Sequence, residues 1–226
     1  MLTYPRTDSR HLPEDYIGNV SETMKTFASH SESKHDALPH DLIPHAETVL
    51  KRQWIRPNKR IFDNTRVSDH FAIIPTGVIP PKELPEVEQK IFDMVTRRFI
   101  AAFFPPAEFE VTTRITRVDK DAFKSEGRIL IEPGWLAVYG KKAAEEAAAE
   151  GENQGKLLVA ALPDERASTL DVELKETQTK PPARYSESTL LGAMETAGKL
   201  VDDEELAEAM SERGLGTPAT RAATIE

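Results

Sequence analysis

Hydrophobic positions in this chain keep two different periods, and the place where one gives way to the other divides it. Between Pro13 and Phe27, Tyr16, Val20, Met24 and Phe27 recur at helical spacing on one stripe, which predicts an amphipathic helix. Residues 28–48 are polar, carry prolines at 39 and 44, and read as a loop. Trp54, Ile55, Ile61 and Phe62 mark short structured pieces beyond it. A stronger helical pattern runs from Pro85 to Phe104 through Val87, Ile91, Val95, Phe99, Ala102 and Phe103, until Pro105-Pro106 stop it.

The period then drops to two. Phe109, Val111, Thr113, Ile115 and Thr116 to Val118 alternate as a strand, with a turn near Lys120-Asp121. Arg128 to Ile131, Trp135 to Tyr139, Leu157 to Ala160 and Ser168 to Lys175 read as further strands, with Ala143 to Glu150 helix-prone between them. Pro181-Pro182 closes this β-rich module. Helical structure resumes from Ser186, a candidate N-cap, to Ala197, and again from Glu204 to Arg213, where Gly214 is placed to end it. The expected fold class is α+β. A mainly helical domain covers 1–106, a β-rich domain 107–182, and a partial helical domain 183–226. There is no internal repeat.

Composition narrows the function classes. With 226 residues, 39% hydrophobic and 30% charged, the chain reads as soluble and globular, long enough for two domains and part of a third. No apolar run approaches the roughly 18–20 residues that span a bilayer, and no signal-peptide pattern opens the chain. The absence of cysteine excludes disulfides, Cys-ligated zinc and thiol catalysis within it, and is compatible with a cytoplasm. A net charge of −9 opposes nucleic-acid binding through a generally basic surface. That charge is uneven: residues 1–70 carry ten Lys/Arg and ten Asp/Glu, against nineteen and twenty-eight in 71–226. Any nucleic-acid path is then a local groove.

The densest chemistry lies in Leu2-Thr3-Tyr4-Pro5-Arg6-Thr7-Asp8-Ser9. A tyrosine phenol ordinarily titrates near pH 10, so it attacks poorly at neutral pH unless the phenolate is stabilised. Arg6 keeps its charge, and its planar fork suits phosphate oxygens. In an extended segment, which Pro5 favours, positions i and i+2 project to one side, so Tyr4 and Arg6 can face one phosphate. The bland reading is a terminal segment with a half-buried tyrosine and a solvated arginine. Histidines recur at intervals of five, at 30, 35, 40 and 45, but prolines interrupt the run and a solvated loop explains it better than a metal site. Asp119-Lys120-Asp121 superficially resembles an acidic metal pair and reads as a β-turn.

Three further segments accompany the tyrosine motif in order: Ser68-Asp69-His70-Phe71-Ala72-Ile73-Ile74-Pro75-Thr76-Gly77, Thr179-Lys180-Pro181-Pro182-Ala183-Arg184-Tyr185-Ser186-Glu187, and Gly214-Leu215-Gly216-Thr217-Pro218-Ala219-Thr220-Arg221-Ala222. Together they resemble the type IA DNA topoisomerases, most closely the bacterial topoisomerase III branch. The resemblance implies that Tyr4 is the nucleophile that ends joined to a 5′ phosphate, with Arg6 clamping the scissile phosphate. Thr7, Asp8 and Ser9 would shape the backbone around it. His70, Thr76, Lys180, Arg184, Ser186, Thr217, Thr220 and Arg221 would contact single-stranded DNA. The first domain would be the winged-helix-like gate, the second the hinged arch, and the third the start of a helical single-strand-binding domain.

The resemblance also implies Mg²⁺ in the intact enzyme, bound by an upstream acidic domain. Only three residues precede Tyr4, so the chain reads as a fragment without a metal site of its own, expected to be inactive alone. A monomer without a membrane partner, in the bacterial cytoplasm at the nucleoid, is the corresponding expectation. The alternatives are a noncatalytic single-stranded DNA-binding module and another tyrosine-using phosphodiesterase or recombinase.

Overall fold

Val20, Met24 and Phe27 have no solvent exposure and form the inner face of α1 (Ile17–Ala28), following the stripe in the sequence. A single 3-10 turn, Glu14–Tyr16, leads into this helix. In the computed structural model, the residues described are all but 31–37, 68, 82, 150–157, 159, 160, 163, 172, 173, 175, 202, 212, 213 and 226. Chain contacts separate Met1–Ala160 from Ala161–Glu226.

The first unit is built on three helices. α1 packs on α2 (Ile43–Lys51), and α3 (Glu86–Phe103) adds Phe92, Phe99, Ile100 and Phe103 to the same core as Leu42, Ala46 and Val49. Phe27 meets Phe99 edge-on at 6.5 Å, and Phe99 meets Phe103 at 5.5 Å. Burying such aromatic area is the main stabilising term; truncating Phe27 to Ala is expected to cost about 3–5 kcal/mol. Arg97 ties the periphery together. Its guanidinium is bidentate to Asp41 at 2.6 and 3.1 Å, reaches Asp93 at 2.9 Å, and donates to the Val138 carbonyl at 3.1 Å.

Residues 28–48 depart from the expected loop. The 3-10 turn His40–Leu42 runs directly into α2, and Leu38 and Leu42 are buried. Pro44 does not interrupt α2 but sits in its first turn, where its missing N–H leaves no bond unmade. Of the four histidines, His35 lies outside the described residues. His45 packs edge-on against Phe104 at 5.7 Å, and its burial pushes the imidazole below its ordinary value.

β1 (Glu108–Val118) and β2 (Asp121–Glu132) form an antiparallel hairpin running from Phe109↔Leu130 to Val118↔Asp121. Asp119 has a φ of 52° in the two-residue turn, so the Asp119-Lys120-Asp121 sequence is spent on the hairpin. Arg128 stacks its guanidinium over Phe109, 3.6 Å from the ring centroid.

Trp135 to Tyr139 is a 3-10 helix, Gly134–Tyr139, and not the expected strand. Leu136 and Val138 are both buried, an alternation that imitates a strand in sequence. Gly134 forces the turn: its φ is 49°, and a Cβ there would lie 2.3 Å from the Pro106 carbonyl oxygen. α4 (Lys141–Ala149) follows. Most of the Leu157 to Ala160 strand lies outside the described residues. The described part of Ser168 to Lys175 forms no strand, with Leu170 and Leu174 almost wholly exposed.

The second unit holds α5 (Glu187–Glu195), α6 (Glu204–Ser211) and the short α7 (Arg221–Ile225). Ser186 caps α5 as expected: its Oγ accepts from the Thr189 N–H at 3.3 Å, and the Thr189 Oγ1 accepts from the Ser186 N–H at 2.8 Å. Asp203 caps α6 through the Leu206 N–H at 2.9 Å. Gly214 has a φ of 61° and donates to the Met210 carbonyl at 2.9 Å, a geometry that suits a helix stop, while the expected last residues of that helix, 212 and 213, lie outside the described residues. The whole is a mixed helix-and-sheet architecture, consistent with α+β.

Candidate active site

Residues 1–12 carry no long strand or helix of their own; they are held by the segment 61–76. Leu12 donates to Ile61 at 2.7 Å and Asp63 to Leu12 at 3.0 Å, giving a parallel bridge. Leu2 bridges Pro75 in the opposite sense, with Thr3 N–H on the Ile74 carbonyl at 2.9 Å and Thr76 N–H on the Met1 carbonyl at 3.0 Å. Between these ends the hydroxyls do the joining. Thr3 Oγ1 accepts from the Ile74 N–H at 2.9 Å and donates to the Ala72 carbonyl at 3.2 Å. Thr7 Oγ1 donates to the His70 carbonyl at 3.2 Å and accepts from the Ser9 N–H at 3.1 Å. Ser9 Oγ donates to the Arg66 carbonyl at 2.8 Å and accepts from the His11 N–H at 3.2 Å.

This ladder fixes Tyr4 between two anchored residues. Its ring lies against His70, with centroids 4.5 Å apart and planes 40° apart, and it is 51% exposed. The phenol is therefore supported on one side by an imidazole and open to solvent on the other. Arg6 is exposed, and so are Asp8 and His70. The chain bends at Pro5, so the straight extended geometry expected for Tyr4 and Arg6 is broken there. Thr76 is exposed, and its hydroxyl accepts from the amino group of Met1 at 2.9 Å.

The far end of the segment is secured by Asp63. Its carboxylate accepts from the Thr65 N–H at 3.1 Å and hydroxyl at 2.7 Å. These bonds, Thr65's side chain first, hold the carboxyl below the usual carboxylate range. Thr3 joins Thr7 and Ser9 as a residue that positions Tyr4. Its signal was available in the sequence, because hydroxyls at positions 3, 7 and 9 surround the tyrosine at the intervals the ladder uses.

The remaining candidates lie in the second unit. Lys180, Arg184 and Ser186 sit in the exposed stretch leading into α5. Thr217 and Thr220 repeat one half of the Ser186–Thr189 cap: the Thr217 N–H donates to Thr220 Oγ1 at 2.9 Å, while the Thr220 N–H donates to the Thr217 carbonyl at 3.0 Å. Arg221 is placed differently from the expectation of a phosphate contact. It is 8% exposed, and its guanidinium donates to the carbonyls of Leu215 at 3.1 Å and Gly216 at 3.2 Å. Closing a loop that needs glycine at 214 and 216 consumes donors a phosphate would need.

Among the described residues, no cluster of three or more His, Asp or Glu side chains is arranged to hold a metal ion. The Mg²⁺ that type IA enzymes generally use finds no fitting donor set there. Nor is any described helix long and apolar enough to cross a membrane.

The structure places an exposed tyrosine beside a histidine, with an arginine two residues on, and comparison with known proteins gives the class of protein that carries this arrangement. Residues 1–226 match the family model for DNA topoisomerase. The chain belongs to this family, as a type IA member. It is 37% identical to DNA topoisomerase 3 of Bacillus cereus (strain ATCC 14579) over 233 residues, and 35% identical to DNA topoisomerase 3 of Bacillus subtilis (strain 168) over 235. The DNA topoisomerase 3 of Bacillus licheniformis is 37% identical over 233 residues. In each case all of this chain aligns with 30% of the relative, so the chain spans about three tenths of their length.

Proposed function

We propose that this chain carries the cleavage side of a type IA topoisomerase active site, as the gate-and-arch part of a longer enzyme. The Tyr4 phenol oxygen attacks a backbone phosphorus of one DNA strand. An O–P bond to tyrosine forms, the bond from phosphorus to the 3′ oxygen breaks, and the phenolic proton ends on that oxygen. One phosphodiester replaces another, so resealing needs no nucleotide fuel. Arg6 steadies the charge on the phosphate oxygens, and His70 donates to one of them. Strand passage through the gap then relaxes negative supercoils or unlinks DNA circles.

The observation that carries this reading is the exposed Tyr4 ring against His70, held by hydroxyls from its own motif. A tyrosine placed for packing alone would be covered, and this one is half open. Residues 1–106 are the winged-helix-like gate, 107–182 the arch, and 183–226 the start of the single-strand-binding domain. Thr76, Lys180, Arg184, Ser186, Thr217 and Thr220 grip the strand through its phosphates without reading its sequence, and Arg221 shapes the last turn. The enzyme works as a monomer.

The test is the full-length enzyme with Tyr4→Phe. Covalent protein–DNA adduct is expected to vanish while noncovalent binding to single-stranded DNA stays within a few fold; adduct that survives the change would remove Tyr4 from the mechanism. The 226-residue chain alone is expected not to relax supercoiled plasmid in Mg²⁺.

A further inference from the structure

Residues 51–60, Lys-Arg-Gln-Trp-Ile-Arg-Pro-Asn-Lys-Arg, hold five basic side chains and no acidic one, in a chain whose net charge is −9. Within the first unit this stretch borders a cavity of about 530 Å³, inside the roughly 300–1,000 Å³ typical of ligand sites. Trp54, Arg56, Asn58, Arg60, Phe104 and Trp135 line it, and no acidic residue is among its described lining.

The walls are held in place. Trp54 stands edge-on to Phe104 at 4.8 Å, and Trp135 edge-on to Tyr139 at 5.6 Å. The Trp135 backbone N–H donates to the Pro105 carbonyl at 3.0 Å, next to the close approach of Gly134. Trp135 is nevertheless 37% exposed. Asn58 shapes the loop through the Ile61 N–H at 3.1 Å and the Arg56 carbonyl at 3.1 Å. Arg60 uses one nitrogen on the Ala102 carbonyl at 2.6 Å, which aims the group and leaves its other donors for a ligand. The Arg56 guanidinium makes no hydrogen bond or ion pair among the described residues, whereas Lys59 is engaged by Glu14 and Asp63.

A partly exposed indole in a cavity that two arginines also line matches one ligand chemistry well. A nucleobase freed from its stack presents a flat π surface to the indole, and its flanking phosphates meet the guanidiniums. A duplex keeps its bases stacked and cannot make this contact. We propose that the Trp54–Trp135 cavity is a second contact for single-stranded DNA, separate from the Tyr4 site. Trp135 and Trp54 receive a base, and Arg56 and Arg60 hold its phosphates. The inference rests on the reading of DNA as substrate, but it concerns residues that take no part in cleavage.

The chain's two tryptophans both line this cavity, so indole fluorescence reports on it alone. The 226-residue chain is titrated with short oligothymidylate, following indole emission, and with the same oligonucleotide labelled, following anisotropy. Quenching is expected to saturate with the anisotropy midpoint, and a matched duplex is expected to bind more weakly. Trp135→Ala is expected to weaken binding about fivefold or more. Arg56→Ala, at an exposed side chain without partners among the described residues, is expected to reduce the slope of log affinity against log salt by about 1. If anisotropy rises while indole emission stays unchanged and both variants bind like the parent, the cavity proposal falls and DNA binding stands. If nothing binds, the cavity proposal falls too, while Tyr4-dependent adduct in the full-length enzyme decides the cleavage reading separately.

Discussion

Thr3 spends both its donor and its acceptor on backbone across from it, at Ala72 and Ile74, one residue from the tyrosine it positions. Thr3→Val keeps the shape and leaves the Ile74 N–H without that acceptor, which is expected to cost about 1–2 kcal/mol in urea unfolding. Because the ladder positions Tyr4, the same change is expected to lower covalent adduct in the full-length enzyme more than it lowers DNA binding. Thr96 shows the opposite case. It is fully buried in α3, and its hydroxyl has no partner among the described residues. Thr96→Val is expected to raise the stability of the first unit by about 1 kcal/mol, measured by the same unfolding curves. At Gly214, φ is 61° and a Cβ would meet the carbonyl oxygens of Met194 and Glu195 at 2.4 Å. Gly214→Ala is expected to disrupt the α6 terminus and to lower amide protection in residues 187–225 while leaving α1 unaffected.

At the scale of elements, Arg97 joins α3 to the turn before α2 and to the 3-10 helix after the hairpin. The Arg97 guanidinium beside Asp41 holds that carboxyl below its unfolded value of 3.8. The unfolded chain therefore binds the proton more readily, and this stabilisation is present above about pH 4 and is lost as pH falls through the folded value. His45 acts in the same direction at a higher pH. Burial depresses its imidazole below the ordinary 6.5, against the pull of Asp41, so folding loses stability as pH drops below about 6.5. Urea midpoints measured from about pH 7 to 5 are expected to fall, and to fall less in His45→Gln. Periodicity revealed α1, α3, β1 and β2 because each has one face in a core or a ladder and the pattern repeats over many residues. It hid α2, where Pro39 and Pro44 look like breakers and the helix is nine residues long. It also misread Gly134–Tyr139, since two buried positions two apart fit either structure and only the approach of the chain to Pro105-Pro106 decides between them. Of the site, Tyr4 and His70 were legible as motif residues. Their contact was not, because 66 positions separate them and only the cross-segment hydroxyl bonds bring them together.

For the whole molecule, a charge of −9 and the proposed DNA substrate are reconciled by locality. The acidic excess lies beyond residue 70, with exposed carboxylates such as Glu145 and Glu146 on α4, whereas residues 1–70, which hold Arg6 and the basic 51–60 stretch, carry no net charge. Binding through few phosphate contacts gives a shallow salt dependence compared with a basic DNA-binding domain. The central claim is that Tyr4 takes the 5′ phosphate of a cut strand. It is tested most directly by trapping the full-length enzyme on an oligonucleotide labelled at one end or the other and separating denatured protein from free DNA. The account predicts that the 3′-labelled fragment travels with the protein, that the 5′-labelled fragment is released, and that Tyr4→Phe abolishes the adduct. An adduct carrying the 5′ label, or one that forms without the Tyr4 hydroxyl, would contradict it.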